Sequence, residues 1–466
     1  MSKPVKVMVT LLAACAIALP AMAATFEFHG DLNNRFNLAT NHAQLYSGGA
    51  WLERGVADTK QIDGDSSNAT WGEIKYRLWT EAATNNSKVK GVYAVEIGGL
   101  RFGQQNKAGT SFSGDGINIE TRWAYTALQL PNSDDAFVKI GLQPYKLNSF
   151  LWNETAMGIV YKQSLANSNI ELGWIRGVEY FNDDPGEDQD SLDALSGRWN
   201  FKPFAGTDFG LFALLQHSNP GGGAPGAVDA GKYEVKKLGA VDLDIYTIGI
   251  DGSLKSGNFF ANWDAMYQTG SIDNADFLGL NGSASGDFDL SAYLLHGDIG
   301  INIGATKVTF TSWYASGDDN EDDNDFNAFM ATDVDRADSV VFFEGGYADD
   351  SNGTERPYIL DKGMFLNKIA VDHKVNDAVK VGAAALYVMT AEDIEYIDDN
   401  GNKQANNDLG FEFDAYVSYK IYDNVELALN GGYLVSGDAM DAFEYNRDGK
   451  GEENIYRVTS RLRYQF

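Results

Sequence analysis

Apolar and polar residues alternate along most of this chain with a period of two. The last stretch is the clearest: Tyr456, Val458, Ser460, Leu462, Tyr464 and Phe466 alternate with Arg457, Thr459, Arg461, Arg463 and Gln465. Successive side chains of a strand point to opposite faces, so this segment predicts a strand with one apolar and one basic face. Ile74, Tyr76 and Leu78 alternate likewise with Glu73, Lys75, Arg77 and Trp79, and Leu409, Phe411, Phe413, Val417 and Tyr419 form a further apolar face. Ile117, Ile119, Trp123 and Tyr125 read as an outer face, with Asn118, Glu120 and Arg122 on the inner one. At Ile245-Tyr246 and Leu294-Leu295 the phase slips, which predicts bulges.

Such segments recur from residue 25 onward and number about 18, with 16 left open by weak alternation over 158–180. They are separated alternately by tight polar turns and long acidic connections. Turn chemistry marks Asn85-Asn86-Ser87-Lys88, Pro131-Asn132-Ser133-Asp134, Ala166-Asn167-Ser168-Asn169, Ala205-Gly206-Thr207-Asp208, Asn376-Asp377 and Tyr422-Asp423-Asn424. Long connections are expected near 39–68, 104–115, 144–157, 181–194, 219–240, 271–286, 318–362, 391–407 and 437–453. Strands apolar on one face and charged on the other, with short turns at one end and long loops at the other, predict an all-β fold. The expected architecture is a transmembrane antiparallel up-and-down β-barrel with lipid outside and water inside. No linker or fixed-period repeat interrupts it, so one domain is expected over 24–466.

The N-terminus changes the picture. Lys3 and Lys6 precede an apolar stretch from Val7 to Leu19, and Ala21-Met22-Ala23 resembles a cleavage site, so residues 1–23 read as a secretory signal. Leu12-Ala13-Ala14-Cys15 also resembles a lipobox, against which the apolar run continues past Cys15 to Leu19. Cys15 is the single cysteine, so a chain cleaved after Ala23 has no disulfides or thiolate metal sites. Cleavage takes two of the 36 basic residues and none of the 66 acidic ones, which leaves a net charge of −32 and argues against nucleic acid as a partner. With 50 glycines, 9 prolines, 23 tyrosines and 26 phenylalanines, the composition suits many strands with tight turns and aromatic girdles.

The signal, the asymmetric meander and the terminal Tyr464-Gln465-Phe466 together resemble the Gram-negative porins, the homotrimeric general porins and the larger substrate-selective ones above all. This resemblance implies a Gram-negative outer-membrane location amid lipid and lipopolysaccharide, and a homotrimer. It also implies recognition of Leu462, Tyr464 and Phe466 by the barrel-insertion machinery, although Arg461 stands where the family signal often has glycine. In the family a loop after the fifth strand folds inward against a basic wall. The corresponding segment is Pro144 to Met157, with Asn148, Ser149, Asn153 and Glu154 as candidates, while 39–68 and 318–362 are alternatives.

Barrel closure pairs the last strand with the first, so Arg35, Lys75, Arg77, Arg122, Arg457, Arg461 and Arg463 are expected to share one lumen wall, with Arg461 and Arg463 nearer the periplasm. Such a cluster would concentrate anions. The alternative is that these cations pair with inward acids such as Glu73, Glu120, Glu412 and Asp414. Trp79, Phe212, Phe260, Tyr293, Trp313 and Tyr416 read as inward aromatics that either guide sugars or pack beneath inward loops. Asp318, Asp319, Glu321, Asp322, Asp323 and Asp325 form the densest acidic run, either a Ca²⁺ or Mg²⁺ site bridging to lipopolysaccharide or a solvated loop. Asp398-Asp399-Asn400-Gly401 resembles part of a calcium loop. No other cofactor is expected.

The five histidines lack metal-ligand spacing and no nucleophile elbow is present, so no enzyme is expected. The sequence predicts a passive channel for small hydrophilic solutes with a preference for anions. A structural or adhesive surface barrel with a blocked lumen is the competing reading.

Overall fold

The computed structural model describes residues 24–40, 68–84, 86–103, 119–131, 133–178, 190–219, 226–229, 234–235, 238, 241–278, 283–320, 323–334, 336–343, 360–444 and 447–466. The expected signal segment lies outside them. Eighteen strands form the wall: β1 (Ala24–Ala39), β2 (Ala69–Thr84), β3 (Val89–Arg101), β4 (Glu120–Gln129), β5 (Ala136–Asn148), β6 (Trp152–Leu165), β7 (Ser168–Val178), β8 (Asp190–Phe201) and β9 (Thr207–Asn219) come first. They are followed by β10 (Asp242–Ser256), β11 (Phe259–Leu278), β12 (Ser283–Ile303), β13 (Thr306–Ala315), β14 (Met364–Lys374), β15 (Val379–Ile397), β16 (Lys403–Tyr422), β17 (Val425–Ser436) and β18 (Ile455–Gln465). Each pairs antiparallel with its sequence neighbour, and β18 closes the barrel on β1 through Asp31↔Gln465 to Ala39↔Arg457. Two short strands, Gly226–Asp229 and Asp325–Phe326, add parallel to β11 and β12.

The period of two produces this wall. Phe411, Phe413, Val417, Tyr419, Tyr456, Val458, Leu462 and Tyr464 are all exposed on the outside, and Arg457 and Thr459 are buried on the inside. Asn34, an outward polar residue on β1, accepts a hydrogen bond from Tyr76 (2.8 Å), so even this group is satisfied on the apolar face.

Four expectations change. Trp123 and Tyr125 turn inward, opposite the buried Ala94 and Val92, and Trp123 meets Trp79 edge-on at 5.7 Å, because a bulge at Arg122 reverses the phase of β4. Leu409 is buried rather than outward, at a bulge opposite Val388 and Met389. Tyr293 is exposed on the outer face and stacks on Tyr314 at 5.5 Å. The expected bulges at Ile245-Tyr246 and Leu294-Leu295 are absent, and the ladders run through them in register. Both faces are apolar there for another reason. Tyr246 and Leu295 meet the lipid side, while Ile245 and Leu294 are completely buried in an apolar core inside the lumen.

That core forms because two segments fold inward. β5 separates from β4 beyond Leu142, and β6 joins β7 only from Gly158, so residues 143–157 leave the wall as a hairpin. The departure point requires glycine: Gly141 has φ +122°, and a Cβ at Gly158 would lie 2.1 Å from the Trp174 carbonyl. The segment expected to be a loop is thus two strands joined by residues 149–151; Asn148 ends β5, Asn153 and Glu154 belong to β6, and only Ser149 lies in the turn.

The second inward segment follows β13. Its backbone docks on the hairpin, with the Thr332 N–H donating to the Leu151 carbonyl and the Asn153 N–H to the Asp333 carbonyl, both at 2.8 Å. Phe150, Leu151, Phe329 and Met330 are almost wholly buried at this junction. Phe212 and Trp313 pack in the same core, the packing role considered for inward aromatics.

At the same end of the barrel, the β17–β18 connection carries Glu444, only 3% exposed. Burial pushes its carboxyl up to about 7, despite an N–H donated by Glu453 at 3.0 Å. A group whose value rises on folding contributes fully below its unfolded value and loses that contribution as the pH climbs through the folded one. Hydrogen exchange at the Glu453 amide, corrected for its intrinsic rate, is therefore expected to accelerate from pH 5 to pH 8, and Glu444→Gln to abolish that dependence.

Candidate functional site

The strands from β18 through β4 present their charged faces to the lumen, and the register fixes the rungs. Asn33 lies opposite both Lys75 and Arg463, and Arg35 opposite both Glu73 and Arg461. The expected depth order therefore fails: Arg461 and Arg463 are level with Arg35 and Lys75, because β18 meets β1 directly rather than below it.

All seven expected wall cations face inward, and each has an acid or a polar group close by. Arg35 lies 3.5 Å from Glu73, Arg461 lies 3.1 Å from Glu426, and Arg463 pairs with Asp31 through Nε at 2.9 Å. Lys75 (3.9 Å), Arg77 and Arg122 (3.6 Å) surround a single carboxylate, Glu96. Arg122 also pairs with Glu154 on the inward hairpin. Arg457 reaches Asn37 at 3.3 Å and sits 5.5 Å from the Trp71 ring, whose neighbourhood also holds Arg101 at 4.6 Å. Among the described residues these seven cations meet at least five acids, so pairing reduces the positive field of this wall.

Of the acids expected to neutralise the wall, only Glu73 does so. Glu412 and Asp414 have a different task. Glu412 is fully buried and accepts hydrogen bonds from the Ser339 hydroxyl (2.9 Å) and the backbone N–H groups of Val340 (2.9 Å), Val341 (2.6 Å) and Phe342 (3.3 Å). Asp414 receives the Val340 N–H at 3.3 Å. One carboxylate therefore fastens the second inward segment to β16.

The expected constriction residues separate by direction. Glu154 faces the basic wall through Arg122, whereas Asn148 faces away, donating to Asp251 (3.1 Å) and Asp264 (2.6 Å) on β10 and β11. The hairpin consequently has one face bound to the far wall and one face toward the cations. Below the second segment a cavity of 590 Å³ opens, lined among others by Lys307, Lys368, Lys380, Asp414, Tyr416 and Arg461.

The acidic run is largely occupied by its own loop. Asp323 accepts from Asn320 and from the Asp325 N–H, both at 2.9 Å, and the Asp318 side chain lies 3.4 Å from the Asn327 N–H. Glu321 and Asp322 fall outside the described residues. The Asp398 carboxylate accepts from Asn400, Asn402 and Gln404, which makes it the centre of a tight turn. Among the described residues, Glu27, His29 and Glu81 bring three ligand atoms within 4.8 Å of one another near the turn end of the wall, where Lys90 also pairs with Glu81.

Several contributors escaped sequence reading: Asp31, Trp71, Glu96 and the clamp role of Glu412. Glu96 was the most accessible of them, a single acid between Val95 and Ile97 in a stretch where Tyr93, Val95 and Ile97 alternate with it.

No protein-family model and no curated protein matches the chain. Solved structures do. Pseudomonas aeruginosa OccK9 (OpdG) is 12% identical, with 95% of this chain and 98% of that chain covered and a TM-score of 0.53. OccK8 (OprE) of the same organism is 10% identical over 95% and 98%, with a TM-score of 0.52. OpdK, solved with vanillate, is 9% identical over 94% and 98%, with a TM-score of 0.51. At this identity the likeness is one of fold: the chain shares the closed β-barrel of these proteins.

Proposed function

We propose that the protein is a porin of the Gram-negative outer membrane, a water-filled channel for passive diffusion of small hydrophilic solutes that favours anions. The observation that carries this reading is the juxtaposition of the inward hairpin with the wall of seven cations, inside a barrel whose outer surface is apolar. Lumen polarity provides a path for water, and the positive wall raises the local concentration of anions. The fold shared with the OccK channels supports the location, and the vanillate bound to OpdK supports carboxylates as a solute class.

The homotrimer, the reading of Leu462, Tyr464 and Phe466 by the insertion machinery, and divalent cations at Asp318, Asp319 and their neighbours belong to the same proposal. Each rests on the porin resemblance or on local charge.

The apolar core around Phe150, Leu151, Phe329 and Met330 favours a second reading, a surface barrel whose lumen is blocked. Liposome swelling separates the two. A porin admits small carboxylates faster than amines of equal size, and the ratio falls as salt screens the wall. A blocked barrel produces no swelling with any solute.

A further inference from the structure

The hairpin's far face poses a question that the basic wall does not answer: what keeps residues 143–157 from swinging across the passage. The hairpin pairs strand to strand with the neighbouring wall only below its two glycines, with Gly141 in a conformation that side chains avoid, and above them Glu154 meets Arg122. Its tip must be retained by contacts made on the opposite side.

On that side Arg198 donates to the Leu147 carbonyl (2.8 Å) and the Tyr145 hydroxyl to Ser196 (2.6 Å), and at the tip one side chain reaches two further strands. Asn148 is 3% exposed, and its amide nitrogen donates to carboxylates on two different strands, Asp251 and Asp264. Its oxygen accepts the Phe150 N–H at 2.8 Å, which fixes the turn. The acceptors are themselves held: Arg198 grips Asp251 through two bonds of 2.7 Å, and His296 lies 2.7 Å from Asp264 and 3.3 Å from Asp298. Thr311 (2.6 Å) and Asn262 (3.1 Å) complete Asp298, and Phe150 covers His296 at 4.8 Å between ring centroids. Arg336 lies over the same Phe150 ring, 3.7 Å from its centroid.

We propose that Asn148 is the positioning residue of the channel: it docks the hairpin on the β10–β11 wall, and this docking keeps the passage beside the cations open. The assignment rests on the channel reading above. An amide suits the position because its nitrogen donates to both carboxylates while its oxygen accepts the Phe150 N–H. An aspartate at 148 would add a third acid beside Asp251 and Asp264, whose basic neighbours, Arg198 and His296, are already engaged with them.

The test is single-channel recording of the full mature protein in planar bilayers, with heat-modified gel mobility reporting barrel folding. Asn148→Asp is expected to increase the frequency of closures about tenfold or more, the change carried by hydrogen bonds to charged groups. Asn148→Asp combined with Asp264→Asn exchanges donor and acceptor and should restore the steady current. Acidification that protonates the introduced carboxyl should quieten the single variant as well. Steady current in a folded Asn148→Asp channel overturns the assignment, as does failure of the exchange to rescue. A wild-type protein that inserts but never conducts instead overturns the channel reading on which the assignment depends.

Discussion

Replacing Glu412 by leucine is expected to release the second inward segment from the lumen while the barrel stays intact. Glu412 is the acceptor for four donors, the Ser339 hydroxyl and three consecutive backbone N–H groups, and no water reaches its side chain. A buried donor left without its partner costs about 1–3 kcal/mol. Val340 keeps Asp414 as an acceptor, so three such losses, partly relieved by relaxation, shift the docked state by roughly 3 kcal/mol or more, a factor of more than about a hundred in the docked-to-released ratio. Released backbone donors find water, so release is the way the variant relaxes. The wall strands keep their own ladders and should retain heat-modifiable mobility. Conductance is expected to rise, with protease cleavage between residues 336 and 343 as the independent readout. Glu412→Gln keeps one oxygen and should fall between the two. Unchanged conductance and protection in Glu412→Leu would remove Glu412 as the clamp.

Neutralising Lys75, Arg77 and Arg122 together by glutamine should reverse the ion preference of the channel. These three cations surround Glu96, and Arg122 also meets Glu154, so the substitution takes three positive charges away from two carboxylates that remain. A narrow lumen with low-dielectric walls focuses such a field and alters local counter-ion concentration by tenfold or more, on the order of the effect seen in charged clefts. The reversal potential under a salt gradient should change sign. Lys75→Arg alone conserves charge and should leave the sign as it is, and Glu96→Gln in the wild-type background should strengthen anion preference. A triple variant that remains as anion-selective as the wild type would place the selectivity elsewhere.

The outer face was legible in the sequence because lipid imposes a rule on every second residue. Phe411, Phe413, Tyr456 and Leu462 had to be apolar wherever the chain turned, and the closure of β18 on β1 followed from the meander. The lumen imposes no comparable rule. Ile245 and Leu294 looked like errors of phase because a porin interior is expected to be wet, yet they support an apolar core built by residues far away in sequence. The same nonlocality hid Glu412, an inward acid with the appearance of a counter-ion whose partners lie some 70 residues upstream in the chain. At Arg122 a single bulged residue sent Trp123 inward, and local alternation carries no warning of one extra residue. The seven wall cations were legible as a set because phase and closure sufficed to place them; their depth was not, because strand offset is set by register.

The central claim is that ions and small solutes cross between the inward hairpin and the basic wall. Single-channel conductance of the purified mature protein, with the reversal potential measured across a salt gradient, tests it most directly. Stable open levels with a reversal potential displaced toward the anion equilibrium value are predicted. Folded, membrane-inserted protein that carries no current, or current that favours cations, would contradict it.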